Sequence, residues 1–113
     1  PNTKIMKSNQ VTLIGFVGKD IGSSKLKDGT KRVAIRMATH QPIKNANGEV
    51  IWQTVWHDVV AWDSTAEYAE RSFVKGSRIL VDGSIQYRVY SDNKGHKRYL
   101  TQIRAHSLMN LDR

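Results

Sequence analysis

Apolar and polar positions alternate with a period of two through most of the chain, which predicts strands. Gln10–Val17 is rich in β-branched and aromatic residues and stops at Gly18-Lys19-Asp20. Lys27-Asp28-Gly29 reads as a turn, with Asp-Gly as the hairpin signal. In Lys31–Thr39, Val33, Ile35 and Met37 share one face while Arg32, Ala34 and Arg36 take the other. Gln41–Glu49, with Pro42, Asn45, Asn47 and Gly48, reads as a hairpin loop of unusual length, either a functional arm or a floppy insertion. Ile51–Trp62 is a long third strand carrying Trp52, Trp56 and Trp62, all even-numbered and so projected from one side if the strand has no bulge.

The period changes once. Ser64-Thr65-Ala66-Glu67 matches a helix capping box, and Ala66, Ala69 and Phe73 follow at the spacing of a short amphipathic stripe. Lys75 and Gly76 close that helix, the cation near its negative end and the glycine as a left-handed stop. Two further strands, Ser77–Tyr90 and Lys97–Leu111, are joined by the turn Asp92-Asn93-Lys94-Gly95. Five strands with one helix between the third and fourth is the connectivity of an OB-fold, a small Greek-key barrel. The expected class is therefore all-β with one short helix and long hairpin arms; a small sandwich that includes a helix has the same element count.

Pro occurs only at Pro1 and Pro42 and no repeat is visible, so nothing marks an internal boundary. The expected organisation is a flexible segment over residues 1–8, one domain over 9–111 and a chain end at 112–113. A chain of 113 residues with 39% hydrophobic and 25% charged residues has enough apolar surface for one packed core. Charge adds more: Lys and Arg number 18 against 10 acidic residues, a formal +8, which points to a polyanionic partner, most commonly nucleic acid. With no cysteine, disulfide scaffolds, thiolate zinc sites, cysteine nucleophiles and iron–sulfur clusters are excluded. No apolar run reaches the length of a membrane span, and a cytoplasmic protein is expected.

Catalysis finds little footing. His40, His57, His96 and His106 lack the spacing of a helical metal pair, no glycine-rich phosphate loop precedes a helix, and no nucleophile elbow is present. Asp58 adjoins His57 but points to the opposite strand face, and Asp82 beside Gly83 reads as an acceptor on an exposed face. No enzyme activity, cofactor or metal is expected. Three tryptophans clustered on one half-polar strand suit bases, which stack on any exposed aromatic ring. Tyr90 lies with Gln86 and Arg88 on the polar face of the fourth strand, pairing a ring with a guanidinium. The remaining basic residues, among them Lys4, Lys7, Arg32, Arg36, Lys44, Lys75 and Arg98, are dispersed, which suits a wrapped single strand more than a duplex groove.

These residues carry a family resemblance over about Asn9 to Leu111. Asn9-Gln10-Val11-Thr12-Leu13-Ile14-Gly15 and Val33-Ala34 to Ala38-Thr39 resemble the opening strands of bacterial single-stranded DNA-binding proteins. Gln53-Thr54-Val55-Trp56-His57-Asp58-Val59-Val60 and Val74-Lys75-Gly76-Ser77-Arg78-Ile79-Leu80-Val81-Asp82-Gly83 are similar to that family's third-strand and post-helix signatures. The resemblance implies an OB-fold that coats single-stranded DNA without sequence preference in replication, recombination and repair. It implies a homotetramer, with a dimer as the other state. Trp56, Trp62 and Tyr90 fall on the family's stacking positions, His57 on a subunit-interface histidine, and Lys75 and Arg88 on phosphate-contacting positions; Arg36 and Lys44 complete the expected nucleic-acid set. Three departures stand out: His40-Gln41-Pro42-Ile43 replaces a further stacking tryptophan, for which Trp52 either compensates or rests on a neighbouring subunit; Asp58 replaces a frequent basic residue; and the sequence stops at Asn110–Arg113 without the family's acidic tail, so tail-mediated protein partners are not expected. The rival binding reading is a primosomal protein N-like module acting mainly through protein partners.

Overall fold

The computed structural model describes residues 8–112. β1 (Val11–Val17) pairs antiparallel with β5 (Arg78–Ser91), β5 with β6 (Lys97–Asn110), and β3 (Lys31–Lys44) with β4 (Val50–Trp62). A short parallel contact between β4 and β6 at Val59/Ile103, and β1 against β3 at Phe16/Ala38, close these five strands into a barrel. The OB-fold expectation holds: one helix, α1 (Asp63–Ser72), connects the third and fourth barrel strands. The expected N-terminal segment over residues 1–8 lies, apart from Ser8, outside the described residues. Asn9 continues the β5 ladder, accepting from the Ile85 amide at 2.9 Å and donating to its carbonyl at 3.0 Å.

The odd-numbered positions of the central strands make the core. Val33, Ile35, Met37, Val59, Ala61, Ile79 and Val81 are buried, and the α1 stripe Ala66, Ala69 and Phe73 packs on the same cluster. Strand sterics dictate this: alternate side chains point oppositely, so one run of β-branched residues fills the barrel while its neighbours face outward.

Three details differ from the expectations. A short extra strand, β2 (Gly22–Lys25), pairs with β3 from Gly22/Ala34 to Lys25/Lys31. All four of its residues are exposed, so no hydrophobic period announces it; backbone hydrogen bonds alone make it a strand. The Gln41–Glu49 loop is shorter than expected, since Gln41–Lys44 belong to β3, β3 and β4 pair out to Lys44/Val50, and only a five-residue turn remains. Pro42 fits because beyond Ala38 β3 pairs, among the described residues, only with β4, and a free edge tolerates a missing donor. Finally, the capping box does not form. β4 holds Trp62 in extended backbone, the chain turns at Asp63 (φ 53°), and no side chain caps the helix. Ser64 is then already inside the first turn. The helix also ends at Ser72, before Lys75 and Gly76; Gly76 does take a left-handed φ of 91°, but in the tight turn that carries its amide to the Val17 carbonyl at 2.8 Å.

One turn recurs at three hairpins. In Leu26–Thr30, Asn45–Glu49 and Asp92–His96 the first amide donates to the fifth carbonyl, and the fourth residue, a left-handed glycine, donates back to the first carbonyl. At two of them the leading side chain also caps the turn: Asn45 Oδ1 accepts from the Asn47 and Glu49 amides, and Asp92 Oδ1 from those of Lys94 and His96. The His96 and Lys94 amides, with the Arg98 side chain, hold the Asp92 carboxyl below its ordinary range. Rigid tips of this kind let the β3–β4 and β5–β6 arms project beyond the barrel as paired ribbons.

Candidate nucleic-acid interface

The β3–β4 register places the even-numbered side chains of both strands on the outer face: Trp62 across from Arg32, Asp58 from Arg36, Trp56 from Ala38 and Trp52 from Pro42. The three tryptophans therefore share a side, as their numbering predicts, but their surroundings differ. Trp52 stands on the arm at 71% exposure, Trp56 is 48% exposed, and Trp62 is half-buried in a groove. Trp62 and Trp56 are about 20 Å apart along the strand at the usual rise per residue.

The groove around Trp62 is a concavity of about 670 Å³, lined by Arg32, Val60, Trp62, Gln86, Arg88 and Gln102 with Ser24, Leu26 and Tyr87. Arg32 stacks its guanidinium 5.8 Å from the centre of the Trp62 ring. Val60 floors the groove and is fully buried although it sits on the outer face. Two cations, two amide side chains and an aromatic wall thus meet in one open channel. A second concavity of about 340 Å³ shares Gln102 with it and is rimmed by Lys19, Asp20, Arg36 and Asp58.

Trp56 lies beyond that second concavity. Its ring edge crosses the sheet to β1 and rests on Gly18, whose amide donates to the Arg36 carbonyl at 2.7 Å. Arg36 sits 5.4 Å from the Trp56 ring centre and donates to Asp58 Oδ1 at 2.9 Å. So Arg36 is held by both an aromatic face and a carboxylate. The opposite face of β4 carries His57, with Nε2 2.9 Å from Thr39 Oγ1. Burial holds its imidazole below the ordinary value; the Arg36 charge adds to this and Asp58 opposes it.

The expected residues are only partly gathered. Trp62 and Arg88 share the main groove, and Arg36 rims the second. Tyr90, exposed, lies further out on β5 across from Arg98, on the same strand face as Arg88. Lys44 sits at the tip of the β3–β4 arm. Lys75 is exposed in the turn after α1, its amide 3.3 Å from Asp20, which itself rims the second concavity. Sequence reasoning placed Arg32 only among the dispersed basic residues and named neither Gln102 nor Gly18 for the site. The first two could have been found, since folding the hairpin about Asn47 sets Arg32 opposite Trp62 and the even face of β6 follows from its partner. Gly18 carries no local signal, because only barrel closure brings it to Trp56.

Over residues 8–111 the sequence matches the single-strand binding protein family. The chain belongs to that family. It is 34% identical over 96 residues to single-stranded DNA-binding protein 1 of Chlorobaculum tepidum, covering 84% of this chain and 59% of that protein. Against single-stranded DNA-binding protein 1 of Xylella fastidiosa it is 36% identical over 104 residues, covering 91% and 76% respectively. The chain thus spans between about three fifths and three quarters of these relatives. Among solved structures, the Plasmodium falciparum SSB in complex with ssDNA superposes with a TM-score of 0.85 at 26% identity, covering 97% of this chain and all of that one. A deletion mutant of the Thermus aquaticus single-stranded DNA binding protein gives 0.81 at 25% identity, covering 91% of this chain and 50% of that one. The family match does not favour the primosomal alternative. Among the described residues no cluster of three or more His, Cys, Asp or Glu side chains is placed to hold a metal, and no helix is long and apolar enough to cross a membrane.

Proposed function

We propose that this chain binds and protects single-stranded DNA without sequence preference, in replication, recombination and repair. The observation that carries the reading is the channel in which Trp62, Arg32, Arg88, Gln86 and Gln102 converge. Bases stack on Trp62 and Trp56, and the strand continues over Trp52 on one arm and Tyr90 on the other. Arg88, Arg32 and Lys44 neutralise phosphates, and Lys75 serves a strand leaving the barrel. A duplex, whose bases are already stacked on each other, gains nothing from such rings. The function is binding; no catalytic step is involved.

Binding is cooperative with assembly in this reading. Ile14 and Phe16, exposed at 50% and 43% on the outer face of β1, are the kind of apolar side chains that a second protomer covers, and His57 lies on the barrel-side face of the β3–β4 arm where an interface would bury it further. A homotetramer is the expected state, measured by light scattering.

The test of binding is a tryptophan fluorescence titration with oligo-dT, with a duplex of matching length as control, at low and moderate salt. Strong quenching by the single strand alone, weakening as salt rises, is the expected result. Equal affinity for the duplex, or binding to neither, overturns the reading.

A further inference from the structure

Asp58 is out of place by charge. It stands on the outer face between Trp56 and Trp62, where the proposed DNA path needs cations, and among the described residues its carboxylate makes one side-chain hydrogen bond, from Arg36 Nη1 at 2.9 Å. Both partners keep about 40% of their side-chain surface in solvent, so the pair contributes little to folding. It is not needed to satisfy a buried group, since its partner Arg36 is itself open to solvent. What the pair does fix is the Arg36 guanidinium, 5.4 Å from the Trp56 ring centre at the rim of a concavity that shares Gln102 with the Trp62 channel.

A guanidinium beside an aromatic ring is where a strand with a base on that ring brings its phosphate, because the phosphate follows the base along the backbone. Carboxylate and phosphate oxygens compete for the same fork of N–H donors. We propose that Asp58 is an internal counter-ion that stands in for a DNA phosphate on Arg36, so that single-stranded DNA engages the Trp56 site by exchanging phosphate for carboxylate. This inference rests on the single-stranded DNA reading and refines it: the Asp58–Arg36 pair lowers the affinity and the salt sensitivity of this segment of the path, and makes a strand held here easier to displace. Lys19, on the same rim, carries no such mask among the described residues and contributes an ordinary phosphate contact.

The experiment measures the slope of log affinity against log salt for oligo-dT with the full chain, in a cycle of wild type, Asp58→Asn, Arg36→Gln and the double variant. Asp58→Ser serves as a second version of the first change, and thermal unfolding is followed for each. The expected result is a several-fold tighter Asp58→Asn variant at low salt, with its slope steeper by about 0.7 for each protomer the strand contacts. For each such protomer it then loses about 2.6-fold more affinity than wild type as salt is raised fourfold. In the Arg36→Gln background the same change leaves the slope where it was, since there is no cation to unmask. A slope that steepens equally in both backgrounds reports only the loss of a negative charge and overturns the exchange. An Asp58→Asn variant that binds more weakly shows that Asp58 orients Arg36 rather than masks it. If both Asp58 variants unfold well below wild type, the residue is structural and the proposal fails. Absence of oligo-dT binding by wild type itself refutes the single-stranded DNA reading first, and is distinguishable because no slope exists to compare.

Discussion

Gly18→Ala separates the Trp56 platform from the fold that carries it. A Cβ on Gly18 would lie 2.8 Å from Cη2 of Trp56 and nearer still to Cζ3, while the closest backbone atom, the Arg36 carbonyl oxygen, is at 3.4 Å. Carbon atoms settle at about 3.5–4.0 Å, so the ring edge must retreat by about 1 Å, and it is the far end of a side chain that is free to move. Holding Trp56 off its rotamer costs about 0.5–1.5 kcal/mol, which the stiffer unfolded chain of an alanine variant offsets by about 0.4–1 kcal/mol at this non-left-handed position. Stability therefore stays within about 1 kcal/mol of wild type. Binding does not: a seated ring offers a base about 1–3 kcal/mol, and a displaced one loses a good part of that, about 1 kcal/mol or roughly fivefold in affinity. Labelled oligo-dT anisotropy read beside thermal unfolding measures both effects. Adding Gly18→Ala to Trp56→Ala should cost little further affinity, since the two act on one ring. Wild-type affinity in Gly18→Ala, or full additivity with Trp56→Ala, refutes the seat. Gly15→Ala and Gly83→Ala are the counterparts: their Cβ atoms would meet the backbone carbonyls of Ala38 and Arg104, the carbonyl carbons at 3.0 and 2.8 Å, so both should lower the unfolding temperature by many degrees.

Trp62→Ala should weaken oligo-dT binding by about 1–3 kcal/mol, with quenching reduced in the same titration. Arg32→Gln should flatten the salt slope by about 0.7 per contacting protomer and weaken binding of every sequence alike. Removing Gln41–Glu49 and closing the hairpin with a shorter turn should leave the barrel folded by circular dichroism while weakening binding. For His57, whose folded value is depressed chiefly by burial, the unfolded chain takes up the proton first; stability should fall as pH drops below about 6.5 and level off below the folded value. His57→Gln should remove that component from the unfolding temperature measured against pH.

What the sequence made legible is what depends on period and on turn chemistry. The barrel-filling set Val33, Ile35 and Met37 follows from alternation alone, and the face shared by Trp52, Trp56 and Trp62 from parity alone. The α1 stripe was legible for the same reason, although its cap was not: whether Ser64 becomes an N-cap depends on how far β4 keeps pairing, and Trp62 stays paired with Arg32. Local propensity there loses to the ladder. β2 escaped because its pairing is carried by backbone groups that no side-chain pattern encodes. The β3–β4 arm runs further than its proline suggests, because Pro42 sits where β3 has β4 as its one described neighbour, while Asn45 does mark a turn and caps its five residues.

The same division holds within the site. Residues that enter through a single strand, such as Trp62, Trp56 and Arg88, can be named from sequence, because a strand's own parity says which way they face. Relations between strands far apart in the chain cannot. Gly18 meets Trp56 only because β1 closes on β3, and Asp58 reads as a defect in a basic surface until the β3–β4 register sets it against Arg36. Taken singly, Asp58 removes a phosphate contact; taken with Arg36 and the Trp56 ring, it is one half of the proposed exchangeable pair, set on β4 between Trp56 and Trp62. In the exchange proposed above, a displaced phosphate is replaced at once by a carboxylate, so Arg36 is never left bare.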